Sequence, residues 1–246
     1  MYNYSAPAHL LKDRIILVTG AGDGIGKVAA KIYAQYGATV ILLGKTIEKL
    51  EVVYDEIEQE NGPQPAIYPM NLESATAKDY EDMQLTLDKE FGRLDGILHN
   101  AALLGSLTPI AQYDMQHWGK VMQVNLNAPY MLTRMSLPLL EKSDNASVVF
   151  TSDDVGIKGK AYWGAYGISK AAGDNLMQIL ADEMEINSTI RFNSINPGKV
   201  ATTLRAKAFP GENPTTIAKP EDIMNVYLYL MGKDSNAING QIVNAQ

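Results

Sequence analysis

The chain has 246 residues, of which 46% are hydrophobic and 20% charged, with 20 glycines, 11 prolines and no cysteine. This composition is typical of a folded globular protein, because disordered chains are poorer in apolar residues. The 21 basic and 28 acidic residues give a net charge of −7, which argues against nucleic-acid binding because phosphate recognition needs a positive surface. The lack of cysteine excludes disulfides, thiolate metal sites and a cysteine nucleophile, and the three scattered histidines do not indicate a metal site.

The first residues, 1–12, have no basic segment followed by an apolar one, and no apolar run in the chain reaches the length of a membrane span. We therefore expect a cytoplasmic protein that binds neither membranes nor nucleic acid. The absence of cysteine is compatible with a reducing compartment.

Short apolar runs alternate with longer amphipathic stretches from Arg14 onward, and Gly, Pro, Asn or Asp marks each change of period. This alternation predicts strands followed by helices. The predicted strands are Ile15–Val18, Thr39–Leu43, Ala66–Met70, Gly96–His99, Ser147–Thr151, Arg191–Ile195 and Gln241–Val243. The predicted helices are Ile25–Tyr36, Ile47–Glu60, Ala77–Phe91, Met115–Leu140, Ala165–Met184 and Glu221–Met231.

The first two predicted strands are apolar without alternation, as strands covered by helices on both faces must be. The predicted fold class is therefore α/β: a doubly wound parallel sheet of the Rossmann type, with about seven strands and helices on both faces. The chain length and the lack of a linker favour a single domain over residues 1–246. The segment Thr203–Lys219, rich in Pro and Gly, is either a lid over the substrate or a plain surface loop.

A glycine-rich turn joins the first strand to the first helix. Glycines let the backbone approach a pyrophosphate, and the helix N-terminus behind them presents unpaired N–H groups to it. The sequence therefore predicts a dinucleotide site here; the alternative is a tight turn that binds nothing. The candidate cofactor-binding residues of the turn are Gly20, Gly22, Asp23, Gly24, Ile25 and Gly26.

The turn resembles the T-G-x-x-x-G-x-G cofactor motif of the short-chain dehydrogenases/reductases, and four further motifs follow in family order over residues 14–243. The resemblance implies an oxidoreductase that transfers hydride between a nicotinamide and a small carbonyl or alcohol substrate. It also implies a homodimer or homotetramer packed through the two long helices. Within the family, the chain looks like small bacterial oxidoreductases of unknown substrate. The further motifs are Asp95 with His99-Asn100-Ala101-Ala102, then Asn125, then Tyr166 with Lys170, and Asn196-Pro197-Gly198-Lys199-Val200-Ala201-Thr202.

The end of the second strand distinguishes the two nicotinamide cofactors. An acid there binds the ribose of NAD, whereas this strand ends in Gly44 and Lys45, and Lys45 resembles the family's NADP-selecting basic residue. NADP(H) is therefore favoured over NAD(H), although the charge of Asp23 opposes it. Asn71 stands where the family has an adenine-binding Asp, and its amide oxygen can still accept that bond. The further cofactor-binding residues implied are Gly44, Lys45, Asn71, Leu72, Asn100, Ala101, Ala102, Tyr166, Lys170, Pro197, Gly198, Val200 and Thr202.

The catalytic candidates begin with Tyr166 and Lys170, whose spacing of four places both side chains on one helix face. A lysine ammonium beside a phenol lowers the phenol pKa, so that the tyrosine can exchange a proton with a substrate oxygen. The resemblance implies that Tyr166 donates the proton in reduction. It also implies that Lys170 adjusts the pKa of Tyr166 and binds the nicotinamide ribose. It also implies that Asn125 holds a water in the proton relay.

The family's catalytic serine, thirteen positions before the tyrosine, is replaced by Asp153. An ionised aspartate donates no hydrogen bond, repels a developing alkoxide and raises the pKa of Tyr166. Three alternatives follow. Asp153 is protonated in a dry site and donates as the serine would; Ser152 takes its place through a β-bulge; or the protein is a catalytically weak NADP-binding sensor or subunit.

Overall fold

A computed structural model describes residues 2–246, and seven strands within them form one parallel sheet. The strand order is β3-β2-β1-β4-β5-β6-β7, and each neighbouring pair is parallel. The predicted parallel α/β fold is confirmed. The strands are β1 (Ile15–Thr19), β2 (Thr39–Gly44), β3 (Ala66–Pro69), β4 (Gly96–His99), β5 (Ser147–Thr151), β6 (Arg191–Asn196) and β7 (Ile242–Asn244).

Helices cover both faces of the sheet, because successive strand residues point to opposite sides and both sides are apolar. Ile16 and Val18 of β1 belong to one buried cluster, and Leu17 between them belongs to the other. The first cluster includes residues of the helices near both ends of the chain, and the second includes those of the central helices. The helices are α1 (Gly24–Gln35), α2 (Ile47–Gln59), α3 (Ala77–Phe91), α4 (Met115–Met122), α5 (Ala128–Leu140), α6 (Asp154–Ile157), α7 (Gly164–Met184), α8 (Thr203–Ala208) and α9 (Met224–Met231).

The predicted continuous helix Met115–Leu140 is wrong in one respect, because a π-helical turn, Gln123–Asn127, separates α4 from α5. Within it the Ala128 N–H donates to the Gln123 carbonyl, five residues back. The next residue, Pro129, has no N–H with which to bond the Asn125 carbonyl in the α-helical pattern. The turn thus frees that carbonyl from its α-helical partner, and π-turns of this kind are frequent at functional sites.

The segment Thr203–Lys219 is more ordered than its composition indicated. It contains α8 and a short 3₁₀ turn, Pro214–Thr216. Its base is closed by a bridge between Val200 and Ala218 and by the Ala201 N–H, which lies 2.8 Å from the Ala218 carbonyl oxygen. The segment therefore leaves and rejoins the body of the protein at one point.

The buried carboxylate of Asp95 ties the first strand to β4 and to the turn after α5. It accepts hydrogen bonds from the Ile15 N–H at 2.8 Å and from the Ser143 hydroxyl at 2.6 Å. The guanidinium of Arg93 lies 3.1 Å from it. The carboxylate thus holds three separate chain segments at the amino-terminal edge of the sheet.

We expect Asp95→Ala to lower the free energy of unfolding by about 3 kcal/mol, because each buried group left without a partner costs about 1–3 kcal/mol. Urea unfolding measures this. The matched control is Asp88→Ala, which removes a carboxylate that is 42% exposed and paired with Lys142. An exposed pair of this kind contributes little. Equal losses for the two variants would contradict the bracing role of Asp95.

Candidate active site

A cleft of about 720 Å³ lies at the carboxyl ends of the strands, where a doubly wound sheet binds its ligands. The glycine turn forms one end of the cleft, and the residues after β5 with the start of α7 form the other. The structure brings nearly all of the predicted site residues to this cleft; Gly26 and Asn125 do not line it. The sequence analysis missed several lining residues: Lys49, Leu103, Leu104, Leu107, Leu204 and Arg205.

The glycine turn is shaped so that no side chain fills the space in front of α1. Gly20 and Gly24 have φ of 67° and 51°, a backbone conformation that favours glycine. A Cβ on Gly20 would lie 3.0 Å from the Ala101 Cα, and one on Gly26 would lie 2.4 Å from the Gly20 carbonyl oxygen. Gly26 therefore serves the packing of the turn rather than lining the cleft. The cradle and the helix N-terminus behind it fit the pyrophosphate of a dinucleotide.

The charge of Asp23 is offset by a lysine that the sequence analysis overlooked. The Lys49 ammonium lies 2.8 Å from the Asp23 carboxylate, and this hydrogen bond is the main reason that the pKa of Asp23 is lowered. Lys45 is exposed beside them and forms no ion pair within residues 2–246. Lys45 precedes α2 and Lys49 lies in its first turn, so that no helical spacing relates the two and the sequence alone does not identify Lys49. Together the three side chains leave one net positive charge.

The reacting end of the cleft is built around a hydrogen bond between two predicted catalytic residues. The hydroxyl of Tyr166, which is 4% exposed, donates to one oxygen of Asp153 at 3.2 Å. The other Asp153 oxygen accepts from the Val155 N–H at 3.1 Å, which caps α6. Both carboxylate oxygens therefore act as acceptors. Asp153 takes the position beside the tyrosine that its place in the family motif predicted.

The pKa of Tyr166 is raised well above its ordinary value, first by burial and then by the charge and hydrogen bond of Asp153. Asp153 therefore acts on the phenol in the direction that the sequence predicted, whereas Lys170 is not among the causes of the raised pKa. The Lys170 ammonium donates to the Thr151 carbonyl at 2.6 Å and lies 5.6 Å from the centre of the Tyr166 ring. Burial lowers the pKa of Lys170 itself, while Asp153 and Asp174 act in the opposite direction.

Ser152 does not reach the tyrosine. Its hydroxyl is buried and donates to a carboxylate oxygen of Asp174 at 2.5 Å. The reason is the alternation of side chains at the end of β5, which turns neighbouring residues to opposite sides. Asp174 follows Lys170 by four positions on the same face of α7, and this spacing is the signal from which it was predictable.

Asn125 holds the segment after β4 against α7. Its amide nitrogen donates to the Leu103 carbonyl at 2.9 Å and to the Ser169 hydroxyl at 3.0 Å, and its oxygen accepts from the Leu103 N–H at 2.8 Å. A cavity of about 20 Å³ lies beside it, lined also by Ser169, Lys170 and Asp174. That volume is enough for one water molecule.

The helix α8 covers the tyrosine with apolar side chains. Leu204, Ala208 and Phe209 pack on the cluster formed by Val155, Trp163 and Tyr166. The rings of Trp163 and Phe209 are 5.6 Å apart. The side chains of α8 and Phe209 thus cover Tyr166 on one side.

The matching family model is described as short chain dehydrogenase and covers residues 14–213. The fold and the arrangement of Tyr166 and Lys170 agree with this match, and the chain belongs to the short-chain dehydrogenase family, with the oxidoreductase activity that defines it.

Within residues 2–246, no helix is long and apolar enough to cross a membrane, and no group of three or more metal-binding side chains occurs.

Several relatives resemble the chain over its whole length. The uncharacterized oxidoreductase YciK of Escherichia coli strain K12 is 50% identical, covering 99% of this chain and 96% of that protein. A protein of Pseudomonas syringae assigned to the short chain dehydrogenases is 55% identical in structure comparison, with a TM-score of 0.98 and full coverage of both chains. Another such protein, from Escherichia coli CFT073 and complexed with NADPH, is 50% identical with a TM-score of 0.94, covering 98% of this chain and 100% of that one.

His99, at the end of β4, supplies a test of the packing behind the site. It is buried, its Nε2 lies 2.7 Å from the Thr133 hydroxyl, and burial lowers its pKa to about 3. The unfolded chain, with a histidine pKa of about 6.5, therefore binds more protons between about pH 6.5 and pH 3. Stability contributed by neutral His99 is complete above this window and is lost as the pH falls through it.

We expect the wild type to lose about 2 kcal/mol more unfolding free energy than His99→Gln between about pH 7 and pH 5. Urea titrations at the two pH values give the difference. His117→Gln, at an exposed position, is the matched control and should follow the wild type. A wild type that loses no more stability than His99→Gln would show that His99 is not held neutral by burial.

Proposed function

We propose that the protein is an NADP(H)-dependent oxidoreductase that transfers hydride between the nicotinamide and the carbon of a carbonyl or alcohol substrate. The observation that carries this proposal is one continuous cleft with a glycine cradle at one end and the Tyr166 hydroxyl, Asp153 and Lys170 at the other. Tyr166 is the general acid of reduction and the general base of oxidation. The substrate is a small molecule, because the cleft lies under α8.

The glycine turn would hold the pyrophosphate, Asn71 the adenine, and Lys45 with Lys49 the 2′-phosphate of NADP(H). Lys170 and the segment Pro197–Thr202 would hold the nicotinamide riboside. A bound nicotinamide supplies the hydride. The preference for NADP(H) is supported by the net positive charge at Lys45, Lys49 and Asp23, and by the related NADPH complex.

We expect Lys45→Glu to raise the KM for NADPH about tenfold or more, because a hydrogen bond between charged groups contributes about 1.5–3 kcal/mol. The KM for NADH should change little or fall. Steady-state kinetics with both cofactors measure this. Lys89→Glu is the matched charge reversal, at a residue that is 83% exposed and does not line the cleft. Equal changes in the KM for NADPH and the KM for NADH would argue that Lys45 does not bind the 2′-phosphate.

The proton path runs through the chain's own groups. Tyr166 exchanges its proton with the substrate oxygen, and Lys170 lies between the cleft and the small cavity beside Asn125. We infer that this cavity holds the relay water, bonded by the Lys170 ammonium and by the Asn125 carbonyl that lacks its α-helical partner. Asn125 then has two roles, since its side chain holds Leu103 and Ser169.

Asp153, rather than Ser152, takes the place of the family serine. We infer that Asp153 acts as an acceptor of both hydrogen bonds rather than as the protonated donor that the sequence also allowed, so that it provides no stabilisation to an alkoxide. Carbonyl reduction by the wild type is therefore slow. A pure sensor is not favoured, because Tyr166 and Lys170 are in place and the relatives are oxidoreductases.

We expect Asp153→Ser to increase kcat for reduction of a simple ketone about a hundredfold, because one hydrogen-bond donor to an oxyanion is worth about 10²–10³ in rate. Tyr166→Phe in the same background should remove the gain. NADPH consumption with cyclohexanone measures both. A wild type that reduces the ketone faster than Asp153→Ser would contradict the acceptor role of Asp153.

We also propose that Thr203–Lys219 is a lid and that the protein is a homodimer or homotetramer. The lid is supported by the closed base of the segment and by the apolar contacts of α8 with Trp163 and Tyr166. The oligomer is supported by exposed apolar side chains on α5 and α7, namely Tyr130, Ile168 and Ile179. Size-exclusion chromatography with light scattering tests the oligomeric state, and a monomer would contradict it.

A further inference from the structure

The Asp153 carboxylate lines the reacting end of the cleft and forms no ion pair within residues 2–246. Two carboxylates, those of Asp153 and Asp174, act on one buried ammonium, that of Lys170. Asp174 is bonded to Ser152 on the far side of β5, whereas Asp153 lines the cleft. Arg205, the guanidinium above the cleft, is already bonded to both oxygens of Glu212 at 2.6 and 2.7 Å. Lys207 lines the cleft and the Lys160 ammonium lies 5.9 Å from the centre of the Trp163 ring, but neither is bonded to Asp153, so that a substrate cation would be its first ionic partner.

A ketone is a poor partner for such a site. Hydride addition to its carbon leaves a negative oxygen, which the lone pairs of the Asp153 carboxylate repel and cannot stabilise by donation. The neighbouring Asp154 does not relieve this, because its carboxylate accepts from the Asn196 amide at 2.7 Å. The arrangement calls for a reacting group that loses positive charge, rather than gains negative charge, when hydride arrives.

We propose that the group reduced at this site is a protonated C=N bond, an iminium, whose N–H donates to the Asp153 carboxylate. This inference rests on the NADP(H)-dependent hydride transfer of the proposed function and puts an imine or amine in place of its carbonyl or alcohol substrate. It names the chemical class of the substrate, a cyclic or open-chain imine that is protonated when bound.

The reaction balances without a proton from Tyr166 in the hydride step. A C–H bond forms at the iminium carbon from the hydride of the dihydronicotinamide, which is thereby oxidised. The C=N π bond breaks, and its electron pair becomes the lone pair of a neutral amine nitrogen. Positive charge passes from the substrate to the nicotinamide ring, and no oxyanion is formed. The high pKa of Tyr166 is therefore no obstacle to this step.

The walls of the site strengthen the attraction between Asp153 and a cation. Trp163 is 8% exposed, its ring lies 5.7 Å from the Tyr166 ring, and Phe209 packs on it from the end of α8. Ala102 and Leu104 pack on the same cluster. An ion pair in such apolar surroundings is less screened than in water. The apolar walls also fit the carbon skeleton of a small imine.

The test compares Δ¹-piperideine, a cyclic imine that is protonated at neutral pH, with cyclohexanone, a neutral ring of the same size. NADPH consumption by the wild type, Asp153→Asn and Asp154→Asn is measured with each. We expect the wild-type kcat/KM to be at least tenfold higher for the imine. Asp153→Asn, which keeps the shape and removes the charge, should lose at least tenfold on the imine. Asp154→Asn is the matched control and should retain the preference.

A binding measurement gives a readout independent of turnover. Calorimetry of piperidinium, the charged product, should show binding to the wild type in the presence of NADP⁺ that is at least tenfold tighter than to Asp153→Asn. Cyclohexanol should show no such difference. If Asp153→Asn fails to fold, Asp153→Ser takes its place in both measurements. If Asp154→Asn fails to fold, the ratio of wild-type kcat/KM for the imine to that for the ketone is interpreted without this control.

The outcomes separate this inference from the proposed function. A wild type that reduces cyclohexanone as well as the imine overturns the inference and leaves the oxidoreductase function in place. Consumption of NADPH with neither compound counts against the proposed function, and the calorimetry then decides the inference alone. Equal piperidinium affinities for the wild type and Asp153→Asn would overturn it.

Discussion

The chemistry that we propose for this site depends on the hydrogen bond from the Tyr166 hydroxyl to the Asp153 carboxylate. A serine at this position would leave the phenol free to act on a substrate oxygen and would add a second donor. The carboxylate instead accepts a hydrogen bond from the phenol and, together with burial, raises the pKa of Tyr166. Tyr166, the proton donor that we propose, thus has a negative neighbour that disfavours its ionised form. The slow carbonyl reduction and the preference for a cationic substrate that we propose both follow from this one contact.

The fold fixes the contact through the strand β5 and the close approach of two helices. Asp153 follows the strand directly and caps α6, so that its carboxylate has little freedom. The helix α6 approaches α7 closely because Gly156 has no side chain. A Cβ there would lie 2.9 Å from the Lys170 Cβ. Asp153 and Tyr166 are therefore positioned by the close packing of α6 on α7, which a larger residue at position 156 would disturb.

The sequence was sufficient for the parallel sheet and for the cleft, because apolar strands and the glycine turn are local patterns with local causes. It was also sufficient to place Asp153 beside Tyr166. It was not sufficient for the position of the Lys170 ammonium, since spacing along a helix sets the face but not the end of a flexible side chain. The bond to the Thr151 carbonyl requires knowledge of where β5 ends relative to α7. The pairing of Lys49 with Asp23 likewise joins two elements that only the tertiary fold brings together.

The most direct measurement is the ionisation of Tyr166 itself, followed by NMR of the labelled phenol carbon and assigned by its loss in Tyr166→Phe. The titration is carried out on the wild type and on Asp153→Asn over the alkaline range in which both remain folded. We expect Tyr166 in Asp153→Asn to begin ionising at least about one pH unit below the wild type, because the negative charge beside it has been removed. Ionisation at the same pH in the two proteins would show that Asp153 does not control the tyrosine, and would contradict the central role of their hydrogen bond in the chemistry of the site.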